Sequence, residues 1–258
     1  MAEHGNDNDR ASGENPLKTE WTSIRLTIVD LMAALIPGLA WLLVLAAFWH
    51  LGDHDPLAMA LTALHLPPKN AMELLPDVVA AFIVGYAVKP VAMTLAGRLS
   101  FERFFVRREA QTMGADVGDH KGFGFPYAAI YRGRGYYKTI VARLEQQLEA
   151  GGEFRVEDLP RYPPFSVCKR MVRILRPELW EELEHREAET RMAASLFLAA
   201  SASVAVSFAA VILALSNIAR WQWFLASLIA AVLLSIGFRI SRRREVEYVY
   251  LGYLIASR

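Results

Sequence analysis

The sequence predicts an all-α polytopic membrane protein: four transmembrane helices in two hairpins, with a mainly helical cytosolic domain inserted between spans two and three. Three observations lead there. Four apolar runs, roughly 24–49, 74–97, 192–215 and 221–240, each reach the length of about 20 helical residues that crosses a bilayer. The hydrophobic share is 54%, above that of ordinary soluble domains. Basic residues are unevenly placed: of 28 Lys and Arg, 17 fall in 98–191, whereas the connections inside the two hairpins hold only Lys69 and Arg220. The positive-inside rule then puts both termini and the central segment in the cytosol, with the chain integral to the inner (plasma) membrane.

Residues 1–22, rich in Gly, Asn and Asp, are too polar to bury a core and read as a disordered cytosolic N-terminus. The apolar run that follows begins late and is of full span length, unlike a secretory signal. Residues 23–98 form the first hairpin, with an extracytosolic loop at 50–73. Span one carries Asp30 and the pair Pro37–Gly38; span two carries Gly85, Lys89 and Pro90. A proline inside a helix frees the carbonyl four residues earlier, so a kink or a close helix contact is expected at each. Asp30 and Lys89 both lie about 10 Å into the cytosolic half at about 1.5 Å per residue, within reach of forming an intramembrane polar pair. A structural ion pair or snorkelling is the favoured reading, ahead of a proton or ion path. In the loop, His50 and His54 have the spacing of two ligands on one helix face, but Gly52 and Pro56 interrupt it, and no metal is expected.

Residues 99–191 form the cytosolic domain. Its basic, aromatic middle offers Lys121, Arg132, Arg134, Tyr136 and Tyr137 as contacts for a partner protein or an anionic ligand, since such side chains stack on and chelate phosphate-bearing groups. The glycines there lack the spacing of a dinucleotide or phosphate loop, and nothing points to nucleic acid. An amphipathic helix over 137–148 ends at Gly151 and Gly152. A stiff linker, Pro160 to Phe165, leads to a second helix from Ser166 expected to bury Val167, Met171, Ile174 and Leu175. Pro177, followed by Glu178, Glu181 and Glu182, marks a helix start that runs unbroken to Leu215.

The second hairpin, 192–241, has no proline. Ser195, Ala199, Ser203 and Ser207 recur every fourth residue, a small-residue row suited to close helix packing and to self-association. The tail, 242–258, is expected to be helical, with Val246, Val249, Tyr250, Tyr253 and Leu254 on one face. Arg242, Arg243 and Arg244 are expected beside Glu187 and Glu189 or against lipid headgroups.

No catalytic constellation and no cofactor motif is present. Cys168 has basic neighbours but no histidine near it in sequence, and reads as a bystander thiol. The layout of two spans, a cytosolic insertion and two more spans is similar to that of flagellar-stator and TonB-associated proton-channel subunits, in topology alone. Those proteins have prolines in the later spans and receive a partner's carboxylate; here the later spans lack proline and the intramembrane acid is Asp30 in the first. The expected function is a non-enzymatic membrane protein that couples a cytosolic partner or anionic ligand to the bilayer. A gated homo-oligomeric ion channel or membrane-disrupting effector using Asp30 and Lys89 is the alternative.

Overall fold

A computed structural model describes residues 16–66, 71–99, 139, 142–143, 146 and 164–256, with side chains in the first helix from Leu31 onward. Six helices have described bounds: α1 (Pro16–Trp49), α2 (Pro56–Ala63), α3 (Ala71–Leu99), α4 (Pro164–Leu175), α5 (Pro177–Leu213) and α6 (Ile218–Ala256). No strand occurs among the described residues. Four of the helices, α1, α3, α5 and α6, are long and apolar enough to cross a membrane.

The hairpin α1–α3 is closed by glycine. A methyl group on Gly38 would overlap the carbonyl oxygen of Ala81, and one on Gly85 would overlap the carbonyl oxygen of Ala34. Each helix therefore presents an Ala-x-x-x-Gly face to the other, and the backbones touch where any side chain would hold them apart. Pro37 lies inside α1 beside this crossing, and Pro76 and Pro90 lie inside α3.

In the second hairpin, Ser195, Ala199 and Ser207 are buried, and the Ser203 and Ser227 hydroxyls meet across the helices at 2.8 Å. Ser207 donates back to the carbonyl of Ser203 and Ser201 to that of Phe197. The row is thus a packing face, on which Ser207 bonds its own helix backbone and Ser203 bonds Ser227 of the neighbouring helix. Helix α5 is the hub of the bundle, touching α1, α3, α4 and α6. The outward faces stay apolar: Phe208, Ile212, Leu225, Ile229, Leu233 and Ile236 are all exposed, as suits helices whose solvent is lipid.

Three apolar clusters stack along the bundle. At the end bearing the turns, Ala47, Ala60, Ala210 and Trp223 join α1, α2, α5 and α6. Further along, Ala92, Ala96, Ala194, Phe197, Leu198 and Phe238 pack with Trp41 and Met93. Beyond the apolar runs, α4 lies against the first turns of α5 and the last turns of α6, forming a three-helix stalk around Phe165, Cys168, Val172, Leu183, Val246, Val249, Tyr250 and Tyr253. The partner that the apolar face of the tail requires is therefore α4 with the start of α5. Burying side chains of this size contributes about 1.5–3 kcal/mol each. Of 137–148, residues Thr139, Ala142, Arg143 and Gln146 are described and helical, and Arg143 Nη1 donates to the carbonyl of Leu254 at 3.0 Å, tying that segment to the tail.

Three details differ from the sequence reading. Pro164 and Phe165 begin α4 rather than ending a linker, because proline fits a first helical turn. The helix buries Phe165, Cys168 and Val172, while Ile174 and Leu175 point outward at 65% and 40% exposure. The 165/168/172 row, not 167/171/174/175, is the face turned to α6; Val167 and Met171 only flank it. The loop at 50–73 contains α2, capped by Asp55, whose carboxylate accepts from the amide of Ala58 at 3.1 Å.

Candidate functional site

Near the ends of the apolar runs of α5 and α6, α3, α5 and α6 line an open, charged cavity of about 450 Å3. Tyr86, Lys89, Pro90 and Met93 line it from α3, Glu187 and Arg191 from α5, and Glu245 from α6. On α5 and α6 these groups stand near the end of the apolar run, whereas Lys89 lies inside that of α3. On α5 the apolar run starts immediately after Arg191, and 22 helical residues, about 33 Å, separate it from the helix end at Leu213. On α6 the run ends at Ile240, one turn before Glu245.

The cavity's acids are held by bases. Glu187 accepts from Lys169 of α4 at 2.5 Å and from Arg191 on its own helix. Glu245, 2% exposed, accepts from Arg242 at 2.8 Å, and the Arg242 guanidinium also lies 5.2 Å from the centroid of the Phe165 ring. A buried ion pair pays off only when both members keep their partners, and here hydrogen bond, aromatic face and opposite charge converge on Arg242. On the adjoining stalk surface, Lys169 and Arg173 both lie over Trp180, at 5.6 and 5.1 Å from the ring centroid.

A second polar constellation sits at the opposite end of the bundle. Arg220, 6% exposed, donates to the carbonyl of Ala210 in the last turn of α5 at 2.7 Å and to the carbonyl of Asp53 in the α1–α2 connection at 2.5 Å. Asn217 Nδ2 adds a bond to the carbonyl of His54 at 3.0 Å. A cation at a helix C-terminus answers both the free carbonyls and the helix dipole there, so this cluster is a structural clamp between the two hairpins. His50 pairs with Asp53 at 2.7 Å and His65 with Asp77 at 3.2 Å. Among the described residues no group of three His, Cys, Asp or Glu is arranged to hold a metal.

Of the residues singled out from sequence, Lys89 lines the cavity, while the Asp30 side chain lies outside the described residues, as do Lys121, Arg132, Arg134, Tyr136 and Tyr137. The three arginines expected at the headgroups separate. Arg242 is turned inward to Glu245, a correction to that expectation; Arg243 is half-buried and Arg244 exposed. The reason is helical register: Arg242, Val246, Val249 and Tyr253 share the face that meets α4. Cys168 is wholly buried, and burial pushes its thiol far above the ordinary range, with a backbone hydrogen bond acting weakly the other way. Such a thiol is no nucleophile.

Arg191, Glu245 and Arg220 were not identified as site residues from sequence. For Arg242 and Glu245 a signal existed: their three-residue spacing and their phase with the apolar tail positions put both on the buried face. For Arg191 and Arg220 the local sequence shows only charges flanking apolar runs. No protein-family model, characterised protein or solved structure matches this chain.

Proposed function

We propose that this is a non-enzymatic inner-membrane protein, with both termini and residues 99–191 in the cytosol, that engages a partner protein or anionic ligand through its basic, aromatic segment and couples that event to the bilayer. The observation that carries the reading is continuity: α5 and α6, of 37 and 39 residues, run unbroken from the apolar bundle into the stalk. At about 1.5 Å per residue each is over 50 Å long, so a load applied to the stalk reaches the bundle without passing through a hinge. The stalk surface, with Lys169, Arg173 and Trp180 stacked together, continues the basic and aromatic character of the preceding segment. Self-association through small-residue helix faces belongs to the same reading.

The channel or effector alternative draws on one observation, the placement of Lys89 in a cavity with three further charged residues. Two measurements separate the readings. A photo-reactive residue replacing Tyr136 in cells is expected to cross-link a discrete partner, and Arg132→Glu with Arg134→Glu to abolish the product. Purified protein in liposomes is expected to pass no ions. Conductance lost in Asp30→Asn and Lys89→Met, yet indifferent to Arg132 and Arg134, would overturn the docking reading in favour of the channel.

A further inference from the structure

We propose that this chain pairs with a second copy of itself through the seam between α4 and α5, the basic stripe of one stalk lying against the acidic stripe of the other. The inference is independent of the docking reading, whose contact residues fall between Lys121 and Tyr137, and of packing between the apolar helices.

The seam is bipolar. Helix α4 carries Lys169, Arg170 and Arg173 and no acid, whereas residues 177–190 of α5 carry six glutamates against one arginine, Arg186. Lys169 bonds Glu187 at 2.5 Å and Arg173 lies over the Trp180 ring, so the two helices run antiparallel with these residues at matching heights. By helical register, Arg170 and Arg173 turn away from the buried 165/168/172 face on the side next to α5, while Glu181 and Glu184 stand on the outer side of Trp180. All four are exposed. Among the described residues none of the four is in an ion pair: Arg173 has the Trp180 ring, and Glu184 accepts from Trp180 Nε1 at 2.7 Å. Trp180, half-buried, thus separates a positive stripe from a negative one that do not neutralise each other within the chain.

A foreign partner of one charge fits only one of these stripes, whereas a second copy fits both. Copies inserted in one bilayer share its orientation, so a two-fold axis relating them runs along the membrane normal. Rotation about that axis keeps every residue at its height and exchanges the two sides of the seam. Arg170 and Arg173 of one copy then face Glu181 and Glu184 of the other, and the same contacts repeat across the axis. Exposed ion pairs contribute little singly; here they fix register and orientation, and Trp180 beside the axis supplies the aromatic contact around which protein interfaces concentrate their binding.

The test co-expresses full-length chains bearing two different tags, extracts them in a mild non-ionic detergent and measures co-purification, with native mass spectrometry giving the stoichiometry. Wild-type copies are expected to co-purify as dimers, less so as salt is raised. Arg170→Glu with Arg173→Glu sets acid against acid, and Glu181→Arg with Glu184→Arg sets base against base. Each double variant, carried by both tagged copies, is expected to lower recovery of the pair about tenfold or more. One tagged copy of each variant restores opposite charges at every contact, and recovery is expected to return to within about threefold of wild type. If a reversed variant fails to fold, Arg170→Gln with Arg173→Gln or Glu181→Gln with Glu184→Gln replaces it, and loss of the salt dependence is the readout. The proposal is overturned if wild type is monomeric, if the reversed variants pair as wild type does, or if the mixed variants stay apart. A different protein recovered in place of the second copy, and lost on reversing either stripe, overturns it equally.

Discussion

Arg220 and Arg242 are both nearly removed from solvent, and they are held by different partners. Arg220 donates to one backbone carbonyl in the last turn of α5 and to another in the α1–α2 connection, whereas Arg242 has a carboxylate and an aromatic face. Cys168, in contrast, is buried among apolar groups, and burial outweighs the backbone hydrogen bond that favours its anion. That asymmetry has a pH consequence. With the folded thiol raised far above the ordinary value of about 8.5, its contribution to stability is intact below pH ~8.5 and declines as pH rises, because only the unfolded chain releases the proton. Stability of the detergent-solubilised protein is expected to fall by up to about 1.4 kcal/mol per pH unit above ~8.5 from this group. Denaturant titrations of wild type and Cys168→Ala at several pH values between 7 and 10 check this: the difference between the two should change with pH by that amount. Equal slopes would refute the assignment.

At the scale of elements, the crossing of α1 and α3 depends on two absent side chains. In an ordinary helix, replacing glycine by alanine gains about 1 kcal/mol. At Gly38 the new methyl meets the carbonyl of Ala81, so the sign reverses. Gly38→Ala is expected to destabilise the hairpin by about 1–3 kcal/mol and Gly38→Val by more, measured by reversible unfolding in mixed detergent; unchanged or increased stability would show that the helices do not meet there. Elements of this kind were legible in the sequence. Length and apolarity gave the four long helices, Pro37–Gly38 marked a place of close contact, and the spacing of Val246, Val249, Tyr250 and Tyr253 foretold an apolar helical tail. Harder to read was the face of α4. Its twelve residues contain apolar side chains on more than one stripe, so periodicity alone did not decide between 165/168/172 and 167/171/174/175, and contact with α6 did. The cavity was illegible for a further reason: its walls come from residues about 150 positions apart, and only tertiary packing brings Lys89 to Glu245.

For the whole molecule, the contacts of Arg220 and Asn217 with the α1–α2 connection place both hairpin turns at one end of the bundle, with the stalk at the other. The proposed topology, which follows the crowding of basic residues in 98–191, has the stalk end in the cytosol. In a Cys168→Ala background, a membrane-impermeant thiol reagent applied to intact cells is therefore expected to label Ser216→Cys and to spare Gly151→Cys until the membrane is permeabilised. The opposite pattern would invert the topology and with it the placement of the basic segment.

The clamp at Arg220 also determines where the two hairpins are able to part. Pinned to each other at the turns, they have their fulcrum there, and any splaying of one pair of crossings from the other grows with distance along a lever of about 33 Å, roughly 0.6 Å at the far end for each degree. The wall most sensitive to such a tilt is the one shared by Lys89 and Arg191.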